Sequence, residues 1–460
     1  MPDSLSHMGP ATAPNIAMLF ERLASRGDGV LLWTPSGEAT AADVLNRASK
    51  QKKILREAGA GKGSLCAFAG DYSPETIAIF LALASMCAVA IPFSAGSATE
   101  QDALAAEAGV EFWIDPDSGE VRRTSISGAK PHPLLSALAN AGHPGLIVFT
   151  SGSTGKPKAI LHDMDRVASK FQTRRPSWRM VMFLLMDHFG GFNTLMSVLA
   201  NDGIGICPAE RTPHAVCEAI AKGRATLLPT TPTFLGMVIS SGVWKQHDLT
   251  SVRLVTYGAE PMPPATLARI REVLPQSEFK QTYGLSELGV LRSTSPEQGS
   301  LWLKVGGEGF ETRVVEGQLH IRSATNMLGY LNAESPIDES GWMDTGDLVE
   351  ERDGLIRFLG RRSEVINVGG QKVLPTEIED VLLEAEGVAG AVVKGVAHAL
   401  LGQAVVAQVA LSGQEERELV IDRLKAHCRS RLQKYKVPMR FEIVTMDSIA
   451  TPRAKKNRNG

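Results

Sequence analysis

Nine consecutive residues, Thr150-Ser151-Gly152-Ser153-Thr154-Gly155-Lys156-Pro157-Lys158, are drawn only from threonine, serine, glycine, lysine and proline. Side chains this small let backbone N–H groups approach phosphate oxygens, and the hydroxyls add donors. Lys156 and Lys158 supply positive charge for a polyanion. A flexible surface loop is the bland alternative for any Ser/Gly stretch. Here the stretch follows Gly145-Leu-Ile-Val-Phe149, a short apolar run of strand type, and ends in two lysines. Both features favour a positioned phosphate cradle. A P-loop of the Walker kind needs Gly-x-x-x-x-Gly-Lys-Ser/Thr opening a helix. This chain has Gly152-Ser-Thr-Gly155-Lys156-Pro157, with the wrong glycine spacing and a proline where the magnesium-binding hydroxyl belongs. The match fails.

Other chemistries find less support. Cys66, Cys87, Cys207, Cys217 and Cys428 stand far apart with no Cys-x-x-Cys pair, so they read as reduced thiols of a cytoplasmic protein, not as a zinc or redox site. A formal net charge of -2 and an aromatic content of 6% argue against nucleic acid as a partner and against a base-stacking platform. The first fifteen residues lack the basic start and apolar core of a signal peptide. Ile77 to Phe93 falls short of the ~20 residues that span a bilayer and carries Pro92 near its end. It reads as a buried helix running into a buried strand, and no membrane span is expected.

The elements that must position the loop follow from periodicity. Gly29 to Trp33 is strand-like, and Thr40 to Ala58 has helical apolar spacing with Thr40 as N-cap and Gly59 as stop. Ser64–Ala69, Gly145–Phe149, Val181–Leu185 and Leu254–Tyr257 are short apolar runs alternating with helical stretches, the pattern of a mostly parallel sheet covered on both faces. Past residue 300 shorter alternating pieces, Gly317–Arg322 and Gly354–Phe358, predict antiparallel strands in a small barrel-like lobe. The last hundred residues predict helix (375–386), strand (389–396), strand (404–411), helix (415–432) and strand (441–444), a compact α+β unit. With 460 residues the chain is too long for one core. The expected class is α/β: a large N-terminal domain of parallel-rich sheets covered by helices, with a small barrel-like lobe, over residues 1–362, then a small mobile α+β domain over 363–460.

At this point Phe149-Thr-Ser-Gly-Ser-Thr-Gly-Lys-Pro-Lys158 resembles the phosphate loop of the adenylate-forming superfamily, which includes acyl- and aryl-CoA synthetases, adenylation domains and beetle luciferases. Further signatures follow in that family's order: Tyr257-Gly-Ala-Glu-Pro261, Tyr283-Gly-Leu-Ser-Glu287, Asp344-Thr-Gly-Asp347, and Gly360-Arg-Arg-Ser-Glu-Val-Ile-Asn-Val-Gly-Gly370 before Pro375-Thr-Glu-Ile-Glu379. The resemblance runs from about residue 17 to the C-terminus. It implies ATP-dependent, Mg²⁺-assisted activation of a small carboxylic acid as acyl-AMP, followed by transfer to a thiol. Coenzyme A is the expected acceptor, with Gly369, Gly370 and Lys372 around the pantetheine path. Two alternatives stay open: loading of a phosphopantetheinyl (holo-)carrier protein, and an adenylate-binding protein with weak turnover. Nothing indicates the oxygen-handling site of a luciferase.

The same resemblance implies roles residue by residue. Thr150, Ser151, Gly152, Ser153, Thr154, Gly155 and Lys158 would hold phosphates, and Glu287 the magnesium ion. Tyr283 would stack on adenine, next to Gly284. Ser286 would meet the α-phosphate, and Gly258, Ala259 and Glu260 would read adenine largely through their backbone. Asp347 would accept from the ribose hydroxyls with Arg361 assisting. His188 corresponds to a pocket wall and gate at the reaction centre, not a general base. Asp187 departs from the family's bulky apolar residue, and its charge would repel the acid unless it is turned away or paired. Pocket lining is expected from His188, Phe189, Phe192, Asn193, Thr233, Phe234 and Gly258, a set that suits an aryl or short to medium acyl group. Ser363 stands at the hinge, where the family has Asp or Lys. The family's closing motif, Pro-x-Thr-x-Ser/Asn-Gly-Lys, is altered. Counting from Ser448-Ile449 puts Lys456 on the catalytic lysine, with Lys455 in the preceding glycine's place. Aligning Pro452 on the motif proline selects Arg458 instead.

Overall fold

A computed structural model of the chain describes residues 13–94, 96–125, 132–150, 156–291, 293–297, 299–307, 309–323, 325–413, 415–451 and 455–457. The expected class is the one found. Two seven-stranded sheets dominate the first half of the chain. In one, the parallel strands Glu278–Gln281, Leu254–Tyr257, Leu227–Thr230, Arg179–Val181, Ile204–Ile206 and Val30–Thr34 lie side by side, and Gly37–Thr40 is added antiparallel at the edge. In the other, the parallel core of Gly145–Thr150, Val89–Phe93, Leu65–Ala69 and Phe112–Ile114 is flanked by antiparallel strands, among them Lys158–Asp163.

The largest cluster of buried side chains joins both sheets through the helices Pro74–Ser85 and Phe189–Ala200. Every residue from Thr76 to Ala84 is buried, as expected of a helix that is apolar all round and enclosed by protein. Phe80 meets Phe192 of the second helix edge-on at 5.6 Å. The suspect run at 77–93 is therefore a core helix and a core strand. Among the described residues no helix is long and apolar enough to cross a membrane.

The helix expected from Thr40 spans Ala41–Glu57, with a reciprocal capping box between Thr40 and Asp43. The strand expected at Val181–Leu185 differs. It spans Arg179–Val181, and only Met182 still donates to Ile206 beyond it. The apolar residues that follow leave the sheet to build a turn before helix Phe189–Ala200. Leu184 and Leu185 thereby face a cavity and not the sheet.

The change of texture after residue 300 is a four-stranded antiparallel sheet of Phe310–Val315, Gln318–Ser323, Trp342–Arg352 and Leu355–Arg361. Sheet partners change between Arg361 and Ile366, the first residue of a five-stranded sheet. That sheet packs on the helices Pro375–Leu383 and Arg417–Arg431 around a core of its own.

Gly191 shows how tightly the helix bearing His188 is seated. A Cβ added there would lie 1.9 Å from the Leu185 carbonyl oxygen. Gly191→Ala should destabilise the protein by about 1–3 kcal/mol through overpacking, read as a lower urea midpoint. An unchanged midpoint would show that the turn at 182–188 yields freely.

Candidate active site

Strands Leu227–Thr230, Leu254–Tyr257 and Glu278–Gln281 end at one edge of their sheet, and the segments after them border a cavity of about 150 Å³. Ligands of open parallel sheets gather at such carboxyl ends. Thr230, Gly258, Ala259, Tyr283, Gly284 and Ser286 come from this edge, His188, Phe189 and Asn193 from helix Phe189–Ala200 and its N-cap, and Lys455 from the C-terminal tail. The backbone itself is exposed at the segment after Tyr257. A Cβ on Gly258 would lie 2.6 Å from the Thr282 carbonyl oxygen, and Ala259 has a positive φ of 67°.

Asp347 and Arg361 are register partners across the antiparallel pair that ends the four-stranded sheet. Arg361 Nε lies 3.1 Å from Asp347 Oδ1, and the Tyr283 hydroxyl donates to Oδ2 at 2.6 Å. Burial raises the Asp347 carboxyl above its ordinary value, with Arg361 and the Tyr283 hydroxyl pulling the other way. Burial, and then Asp347 itself, drives the Tyr283 phenol well above its ordinary value, so it remains a donor. One face of Tyr283 stacks on Phe358 at 4.5 Å. Each carboxylate oxygen keeps a further lone pair for a diol, and the second face of Tyr283 is the one left for a base. The only trace of Phe358 in the sequence is the alternation of 354–358.

On the phosphate side, Thr150 and Lys158 face each other as the last register pair of a hairpin. Ser151, Gly152, Ser153, Thr154 and Gly155 lie outside the described residues, as do Pro452 and Arg458. Lys158 Nζ sits 4.8 Å from the Tyr330 ring centroid, and the Tyr330 hydroxyl donates to Glu287 Oε1 at 2.8 Å. Burial, and next the Glu287 charge, raises the Tyr330 phenol far above its usual range. Tyr330 pairs with Ile160 across the sheet, a contact no local signal in the sequence announces. Glu287 Oε2 has no protein partner among the described residues. A half-buried carboxylate of this kind fits a hard divalent cation that takes its other ligands from phosphates and water. No cluster of three or more His, Cys, Asp or Glu that could hold a metal occurs among the described residues.

On the acid side, Asp187 is buried and turned to Ser94. Its Oδ2 accepts from the Ser94 hydroxyl at 2.6 Å and from the Ser94 N–H at 3.2 Å. Asp187 does not line the cavity, so its charge is turned away from the acid site. Phe189 and Asn193 line the cavity, but Phe192, Thr233 and Phe234 do not. Phe192 is fully buried against Phe80, and Phe234 packs on Phe183 at 4.2 Å. The helical period turns these two rings into the core. Thr233 is occupied with Glu260 Oε2, its hydroxyl donating at 2.7 Å and its N–H at 3.2 Å. Gly369, Gly370 and Lys372 belong to the hairpin joining Ile366–Val368 to Gln371–Val373 and do not line the cavity.

The tail corrects the assignment of Lys456 to the reaction centre. Thr451 N–H donates to the Lys455 carbonyl at 2.7 Å, and Asn457 N–H to Ile449 at 2.8 Å, which fixes an extended segment. Successive side chains of an extended segment point to opposite sides. Lys455 Nζ reaches the cavity, 3.3 Å from His188 Nε2. Lys456 Nζ turns the other way onto Glu379 Oε2 at 2.5 Å, and its N–H donates to Glu260 Oε1 at 2.5 Å. Glu260 is therefore a clasp holding Thr233 and the tail. Burial pushes the neighbouring Asp380 up to about 6, against the pull of Lys456.

The profile of the AMP-binding enzyme family matches residues 19–331, and that of the AMP-binding enzyme C-terminal domain matches residues 377–456. The chain belongs to this family. It is 25% identical to the indoleacetate–CoA ligase of Aromatoleum aromaticum, over 90% of this chain and 91% of the relative. It is 28% identical to a fatty acid–acyl-carrier-protein ligase of Mycobacterium marinum, over 92% and 85%. Its fold is similar to that of an anthranilate CoA ligase solved with anthranoyl-AMP, with a TM-score of 0.80, 21% identity and coverage of 94% and 93%.

Behind the site lies a residue the sequence did not flag. His162 is fully buried, its Nε2 lies 2.7 Å from the Ser286 carbonyl oxygen, and its ring is 4.6 Å from that of Phe189. Burial lowers its pKa from 6.5 to about 4, despite the Ser286 contact. Between these values the unfolded chain binds the extra proton. The stability carried by neutral His162 is therefore complete above pH 6.5 and is lost as pH falls toward about 4, roughly 3 kcal/mol in all. His162→Gln should flatten the decline in unfolding free energy over that window. Equal slopes in variant and wild type would assign the acid lability elsewhere.

Proposed function

We propose that this chain joins a carboxylic acid to ATP as acyl-AMP, releasing pyrophosphate, and then passes the acyl group to the thiol of coenzyme A, releasing AMP. As a family member it is an AMP-forming ligase. The observation that carries the finer reading is one cavity lined by Lys455, His188, Tyr283 and Ser286, where Tyr283 is bonded to Asp347 and Ser286 adjoins Glu287 in the chain. The Tyr283–Asp347–Arg361 cluster suits a nucleoside, the Glu287–Tyr330–Lys158 cluster suits phosphates, and the Lys455–His188 pair suits a carboxylate.

In the first step a carboxylate oxygen of the acid bonds to the α-phosphorus, and the bond to the bridging oxygen of pyrophosphate breaks. We assign to Lys455 the charge that joins the acid carboxylate to the α-phosphate, where negative charge gathers in the transition state. His188 beside it walls the acid site. Thr150, Lys158 and the 151–155 loop bind the phosphates, and Ser286 lies by the α-phosphate. Gly258 and Ala259 offer backbone groups to the base, and Gly284, where a Cβ would lie 2.7 Å from the Gly289 carbonyl oxygen, lets the neighbouring strand seat Tyr283. Asp347 and Arg361 bind the ribose. Glu287 would hold a magnesium ion, which when bound neutralises phosphate charge. In the second step the thiol sulfur bonds to the acyl carbon as the acyl–oxygen bond to AMP breaks, and the thiol proton leaves to solvent.

We take residues 363–460 as the unit that turns about Ser363 between steps; hinges need backbone freedom more than a particular side chain. Support for coenzyme A comes from relatives named as CoA ligases for indoleacetate and 4-coumarate. The fatty acid–carrier-protein ligase among the relatives keeps a holo-carrier as the second reading. A reducing cytoplasm is the proposed location, supported by five free cysteines, four of them buried.

Pyrophosphate exchange over aryl, short-chain and long-chain acids tests the first step. Exchange with at least one acid is expected, and ATP binding without exchange for any acid would instead indicate an adenylate-binding protein. Thioester formation with coenzyme A against a holo-carrier decides the acceptor. Lys455→Ala should cut adenylate formation by about 10²–10³ and leave transfer from preformed acyl-AMP nearly intact. Lys456→Ala should act more weakly, by loosening the tail. A reversed order of the two effects would return the catalytic role to Lys456.

A further inference from the structure

Behind the acid site stands an ammonium group that the proposed reaction does not use. Lys170 lies in the single 3-10 turn Ser169–Phe171, and its Nζ donates to Asn193 Oδ1. The Nζ is 5.1 Å from the Phe171 ring and 5.8 Å from the Phe189 ring. Among the described residues no carboxylate pairs with it. Lys170 is half-buried as a residue, but its ammonium is enclosed, and that burial, helped by Arg175, draws its pKa down to about 7. A cation taken from water without a counter-ion is costly, and natural sites seldom keep one without a use.

The consequence reaches the cavity through Asn193. In its ammonium form Lys170 has donors only, and in the contact found Asn193 turns its oxygen to Lys170 and its NH₂ away from it. Asn193 lines the cavity, and its Nδ2 has no protein partner among the described residues. The lining also contains Thr230, which is 3% exposed and whose hydroxyl has no hydrogen-bond partner among the described residues. The same wall carries the apolar Leu184, Leu185, Phe189 and Val290, several threonines, and Arg211, which is engaged by Asp71 and the Phe183 carbonyl; to it Asn193 adds an amide donor and Thr230 an unsatisfied hydroxyl. Asn193 is five residues beyond His188, roughly 7 Å of helix rise.

We propose that the acid site takes a carboxylic acid carrying a second carboxylate about that far from the reacting one, and that Asn193, held and polarised by Lys170, binds it with Thr230. This rests on the adenylation reading above, in which Lys455 and His188 receive the reacting carboxyl. The anion supplies the charge Lys170 lacks and the acceptor that Asn193 and Thr230 lack. An apolar tail of equal size would leave all three unsatisfied, the situation in which a polar site rejects an analogue most strongly.

The test compares acids matched in size: terephthalate with 4-isopropylbenzoate, and adipate with 6-methylheptanoate. Pyrophosphate exchange gives kcat/KM for each, and calorimetric titration gives its affinity. In each pair the diacid should be favoured by about tenfold or more. In Lys170→Met and in Asn193→Leu the ratio should fall toward one. A ratio taken within one preparation is unaffected by loss of folded or active protein. Preference for the monoacids, or a ratio unchanged in both variants, would overturn this inference and leave adenylation standing. Exchange with no acid, while calorimetry still shows tighter diacid binding that the variants lose, would overturn the adenylation reading and support the pocket assignment. Equal binding within both pairs would overturn the pocket assignment.

Discussion

The carboxylate of Glu379 is fully buried, accepts from the Val393 N–H at 2.9 Å and carries the Lys456 ammonium at 2.5 Å, and the geometry of the cleft follows from that pair. A buried ion pair contributes little net stability, because desolvation consumes most of the Coulomb gain. Its effect here is positional. With Lys456 committed to the smaller unit, the extended backbone leaves Lys455 only the opposite direction, toward His188. Glu260 completes the arrangement from the large domain by accepting the Lys456 N–H while it holds Thr233. One carboxylate thus anchors the tail within its own unit, and another ties the tail to the edge of the large sheet. Two contacts outside the cavity thus hold the tail against it.

A comparable economy governs the nucleotide side. Asp347, Arg361, Tyr283 and Phe358 come from two neighbouring strands and one sheet-edge segment. The antiparallel register alone sets Asp347 opposite Arg361. Burial works against the charge on Asp347, while the guanidinium and the phenol work for it. The carboxylate is thereby kept as a pre-aimed acceptor. Tyr330 does the same for Glu287, holding one oxygen and leaving the other open. In each cluster a tyrosine whose phenol is kept protonated by burial serves as a fixed donor to a carboxylate.

Much of the architecture was legible from residue patterns. The capping box at Thr40, the enclosed helix before Val89, the alternation after residue 300 and the helix–strand order of the last hundred residues are consequences of local periodicity. The strand expected at 181–185 was not. An apolar run records that residues are buried, and it does not distinguish a sheet from a turn packed under a helix. Likewise Phe192 and Phe234, expected at the pocket, are faced into the core by the helical period.

By itself the sequence determined the chemistry available to this protein. The loop of small residues and lysines, the ordered motifs around Tyr283, Glu287 and Asp347, and the absence of paired cysteines are properties of composition and spacing. Tertiary structure alone decided which of two adjacent lysines enters the cleft, that Asp187 turns its Oδ2 to Ser94, and that Lys170 stands behind Asn193 with no carboxylate partner among the described residues. The reason is physical. Local signals report what a few neighbouring residues do along one chain segment. The direction of a side chain, and whether its charge finds a partner, depends on groups that the fold brings together from tens to hundreds of residues away.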